Sequence, residues 1–80
     1  MKCIELKEEV LKEEKLKLTR MVFSLTDDLS CEELFGKLEE MVYQKVEEKK
    51  KSGEIIDSVR TDYSQTEMRI VIEIFCEITE

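Results

Sequence analysis

The sequence predicts an α+β domain in which one long helix packs on an antiparallel β-sheet. Apolar residues from Leu34 to Val46 recur at the 3.6-residue period of a helix, and those from Met68 to Ile78 alternate at the two-residue period of a strand. With 80 residues there is room for one small domain, 1–80, whether the chain stands alone or belongs to a longer one. The element order that fits is β-β-α-β-β.

The first 26 residues carry mixed signals. Cys3, Leu6, Val10 and Leu11 fit one helical sector, while Ile4, Leu6 and Val10 fit one face of a strand. The strand is preferred, because with a turn at Lys12-Glu13-Glu14 it would cover an otherwise bare sheet edge. Further on, Met21, Phe23 and Leu25 alternate, but Leu16 and Leu18 have the opposite parity. A bulge near Thr19 and Arg20 would bring both sets to one face.

The helix is the most strongly marked element. Ser30 and Glu33 have the spacing of a capping box, and Asp27 and Asp28 place negative charge where the helix dipole favours it. Leu34, Phe35, Leu38, Met41, Val42 and Val46 form the apolar stripe. Glu32, Lys37, Glu40, Glu47 and Lys51 lie opposite, and Glu33–Lys37 and Glu47–Lys51 have i,i+4 spacing. Lys49-Lys50-Lys51 reads as a solvated end favoured by the dipole, and Gly53 as the stop. Gly36, inside the helix, costs about 1 kcal/mol against alanine, which suggests a close approach to the sheet beneath.

Ile55 to Tyr63 reads as extended, with Ile55, Val59 and Tyr63 on one side and Ser58, Arg60 and Asp62 on the other. Ser64-Gln65-Thr66 then makes a short hairpin loop. In the last strand Met68, Ile70, Ile72, Ile74, Cys76 and Ile78 form the core side. The other side carries Val71 and Phe75 among Arg69, Glu73 and Glu77. A single helix covers one face of a sheet, so Val71 and Phe75, joined by Val59 and Tyr63 or else by Ile56 according to parity, form an apolar patch on the uncovered face. Such patches mark contact sites.

Composition narrows the function. Thirteen basic against twenty acidic residues give a net charge of −7, which opposes binding to nucleic acid or to an anionic membrane surface. No run approaches the roughly 18 apolar residues of a membrane span. Three cysteines, Cys3, Cys31 and Cys76, lack any short paired spacing, as expected of free thiols in the cytoplasm. Without histidine the commonest general base and the usual zinc set are missing, and the two isolated glycines, Gly36 and Gly53, make no phosphate loop. Cys31 sits in the first helical turn, where the dipole lowers a thiol pKa and nearby acids oppose it. Cys76 reads as a small core residue. No catalytic, cofactor-binding or metal-binding residue is assigned. The reading is a non-catalytic module that associates with protein, its own copies first, through Val59, Tyr63, Val71 and Phe75. The alternative is an acidic regulatory domain binding a cation or small ligand near Asp27 and Asp28.

From Leu25 to Ile78, the helix with its basic end, Gly53-Glu54-Ile55-Ile56, the polar hairpin and the strand Met68 to Ile78 resemble the soluble end of YqfD-type sporulation proteins. That family has a proline before its lysine-glycine turn, where this chain has Lys51-Ser52-Gly53, and a membrane anchor, which this sequence lacks. The resemblance implies a non-catalytic assembly domain with no active-site residues to transfer.

Overall fold

A computed structural model describes residues 2–25 and 30–78. It contains β1 (Lys2–Leu11), β2 (Leu16–Ser24), α1 (Cys31–Lys51), β3 (Ile55–Ser64) and β4 (Arg69–Glu77). The strands form one antiparallel sheet in the order β1-β2-β4-β3, so the fold is α+β with the expected element order. Lys2–Leu11 is strand, not helix.

The core is thin and lies between α1 and the two inner strands. Ile70, Ile72, Ile74 and Cys76 of β4 and Met21 of β2 are buried, and Leu34, Leu38, Met41, Val42 and Val46 of α1 pack on them. Burying each isoleucine contributes about 1.5–3 kcal/mol, which makes β4 the keystone strand. Phe35 departs from the expected stripe: it is 59% exposed, on the flank of the helix. Ser30 caps α1 by accepting the Glu33 N–H at 3.2 Å. At the other end Gly53, at φ 86°, donates to Lys50 O while Glu54 N donates to Lys49 O, a Schellman closure. Gly36 overturns its expectation, since a Cβ placed there would meet nothing within 4 Å.

β2 pairs with β4 without interruption from Leu16 to Ser24, so the bulge expected near Thr19 and Arg20 is absent. The irregularities fall instead between Cys3 and Glu5 of β1 and between Ile56 and Ser58 of β3. The β3–β4 turn spans residues 65–68 and ends at Met68 with φ 53°, so Met68 belongs to the turn and β4 starts at Arg69. Ser64 steadies this turn by accepting the Glu67 N–H at 3.2 Å. The β1–β2 turn, residues 12–15, ends the same way at Lys15.

Candidate interaction face

The face of the sheet away from α1 follows from register. Pleating sends Met21 and Ile70, Ile72, Ile74 and Cys76 toward the helix, so their immediate neighbours in sequence point the other way. Three cross-strand rows make up the centre of this open face. One is Glu9–Leu18–Phe75–Ser58, the next Lys7–Arg20–Glu73–Arg60, and the third Glu5–Val22–Val71–Asp62. The two inner strands thus present Leu18 beside Phe75 and Val22 beside Val71, with Arg20 beside Glu73 between them. Val22 is only 5% exposed although it lies on the face away from α1. A shallow depression on this face is lined by Ile4, Glu5, Arg20, Val22, Asp62 and Val71.

Of the four residues expected here, Val71 and Phe75 are on the open face. Val59 and Tyr63 are not. They pair with Ile74 and Ile70 and so lie on the helix side of β3, where they remain 39% and 47% exposed. The four-residue turn sets this register, and a one-residue difference in register transfers a whole strand from one face to the other. The open face takes its place in β2 instead: Leu16, Leu18 and Val22 belong to it. Their signal was in the sequence as the parity conflict of Leu16 and Leu18 with Met21 and Phe23.

That conflict has its counterpart on the helix side, where β2 presents Lys17 and Thr19. Lys17 Nζ donates to Glu54 Oε1 at 3.2 Å and lies 3.7 Å from Glu8. Lys49 Nζ lies 3.7 Å from Glu54 and 4.0 Å from Glu8, which closes a ring of alternating charge joining β1, β2, α1 and the start of β3. Lys49 is 4% exposed, so the lysine run at the helix end is not wholly solvated. It follows Val42 and Val46 on the inner stripe, where a lysine can be buried if carboxylates meet it. The hydrogen bond that Lys17 donates to Glu54, reinforced by the charges of Glu54 and Glu8, outweighs desolvation and holds the Lys17 pKa above its ordinary value. Beneath the ring, burial pushes the Cys76 thiol up, against the pull of Lys49. Thr19 is fully buried there, its Oγ1 without a hydrogen-bond partner among the described residues.

Asp27 and Asp28, and the Cys31 side chain, lie outside the described residues. Among the described residues no group of three or more Cys, Asp or Glu side chains is placed to hold a metal ion, and no helix is long and apolar enough to cross a membrane. Compared with known proteins, the chain matches no family, no curated protein and no solved structure at a significant level.

Proposed function

We propose that this chain is a non-catalytic assembly module that associates with protein, its own copies included, through the open face of its sheet. The observation that supports this is apolar side chains on both faces of the two inner strands, with Leu18, Val71 and Phe75 half-buried and Val22 buried on the face away from α1. Apolar area left on the face away from α1 is favourable to bury against a partner. A chain this small, whose folding buries only about 60% of its unfolded surface, gains disproportionately from such cover. The YqfD-type resemblance supports the same non-catalytic reading and adds a sporulation-related setting, while the widely spaced cysteines support a cytoplasmic one.

Sedimentation across a concentration series tests the proposal. The wild-type chain should exceed its 9.5 kDa monomer mass as concentration rises, and Phe75→Glu should return it to monomer with its circular dichroism unchanged. A wild-type chain that stays monomeric at every concentration, or a Phe75→Glu variant that associates as wild type does, overturns it.

A further inference from the structure

Resting on the reading above, we infer that the occupant of the open face is a second copy of this chain, stacked face to face about a two-fold axis that runs parallel to the strands between β2 and β4. The charge pattern selects this arrangement. A two-fold in that direction lays β2 of one copy over β4 of the other. Arg20 then faces Glu73 of the partner subunit, Leu18 faces the partner's Phe75, and Val22 faces the partner's Val71. This charged contact is attractive, and the two-fold makes it occur twice. A two-fold across the strands, through the Arg20–Glu73 row, would instead set Arg20 over Arg20 of the partner subunit and Glu73 over the partner's Glu73. Two like-charge contacts would then sit at the centre of a drying interface, where each costs most.

The rim agrees. Lys7 and Arg60 occupy the two ends of the central row and would face each other if the sheets stacked square. Packed sheets cross at about 30°, which slides the outer strands past one another by roughly half the same-face repeat. A slide that carries Lys7 toward the partner's Asp62 carries Arg60 toward the partner's Glu9, so each rim cation leaves the other for a carboxylate. Four strands about 4.8 Å apart and nine residues at about 3.3 Å give a face of roughly 19 by 30 Å. That is at the small end for a specific interface and suits a reversible dimer. The apolar rows supply the affinity, and the Arg20–Glu73 contacts fix the orientation, since a desolvated ion pair adds more specificity than net energy.

The test uses Arg20→Glu and Glu73→Arg, each checked for folding by circular dichroism and sedimented alone and mixed. Each alone should be monomeric, because like charges now face across the interface twice. Mixed one to one they should form a heterodimer, since each introduced charge meets its opposite on the other chain. Arg20→Gln, a gentler change should the reversals not fold, should weaken the wild-type dimer about tenfold, by loss of one charge-pair type. Under the crosswise axis the same change removes repulsion and tightens the dimer. Single reversals that still dimerise, a mixture of folded reversals that stays monomeric, or tightening by Arg20→Gln overturns this arrangement while a Phe75→Glu-sensitive dimer leaves the use of the open face standing. A monomeric wild type overturns both.

Discussion

Replacing Gly36 with alanine separates helix propensity from packing with unusual clarity. The residue lies inside α1, on its exposed side, and an added Cβ meets no atom within 4 Å. Nothing opposes the methyl group, so the full difference in helix propensity, about 1 kcal/mol, should appear as stability. An unfolding entropy of about 2.1 cal/mol/K per residue gives roughly 170 cal/mol/K for this chain, so 1 kcal/mol raises Tm by about 6 °C. Thermal and urea unfolding followed by circular dichroism, at a concentration below association, would measure both, and the urea slope should be unchanged. Gly53→Ala is the internal control. It too meets no atom, but its φ of 86° is left-handed, and alanine there should lose about 1–2 kcal/mol. The two substitutions must therefore differ in sign. Equal effects, or a destabilised Gly36→Ala variant, would refute the claim that Gly36 faces open solvent.

The ion-pair ring makes an asymmetric prediction. Lys49→Met removes the buried charge, keeps much of the stem, and leaves Glu8 and Glu54 partly hydrated beside Lys17, so the change should stay within about 1 kcal/mol of neutral. Glu54→Gln strands the ammonium with Glu8 alone and should cost about 2–3 kcal/mol in urea unfolding; a larger loss from Lys49→Met than from Glu54→Gln would contradict this account. The buried thiol predicts an alkaline limit. The Cys76 pKa is raised above its ordinary 9.0, so folding holds a proton that the unfolded chain releases, and stability is full below that pH and falls above it. The raised Lys17 pKa has the same sign and acts from its ordinary 10.5 upward. Cys76→Ala, measured against wild type by urea unfolding from pH 7 to 10.5, should flatten the decline that begins near pH 9, and an unchanged slope there would refute it.

The helix, its caps and the alternation of β4 were legible because each is written in local spacing. Ser30 and Gly53 do in space what their positions suggest. Local spacing does not carry register between strands. Val59 and Tyr63 are apolar at the right intervals, yet their face depends on how many residues the β3–β4 turn consumes, and no glycine announces that number. Phe35 and Lys49 fail in opposite senses for one reason. A helix stripe is an angular sector with soft edges, and the sheet beneath decides what its margins meet. Phe35, at the margin, finds no sheet under it. Lys49, on the inner line, finds Glu8 and Glu54, which come from distant parts of the chain.

The polar ring and the apolar open face are two consequences of one feature, the switch of polarity along β2. Met21 and Phe23 turn toward α1, whereas Leu16, Leu18 and Val22 turn away, and in the first half of the strand the helix end is offered Lys17 and Thr19. A bulge would have removed the conflict by bringing Leu16 and Leu18 inside with Met21 and Phe23. The ring prevents that. Moving Lys17 to the open face would part it from both Glu8 and Glu54, and would set Leu16 or Leu18 against the carboxylates and Lys49. A slip of one residue would also carry Met21 out of the core. The parity of β2 is therefore held from both ends, by ionic contacts at one and by apolar packing at the other. It follows that the exposure of Leu18 beside Phe75 is fixed by the same contacts that close the domain.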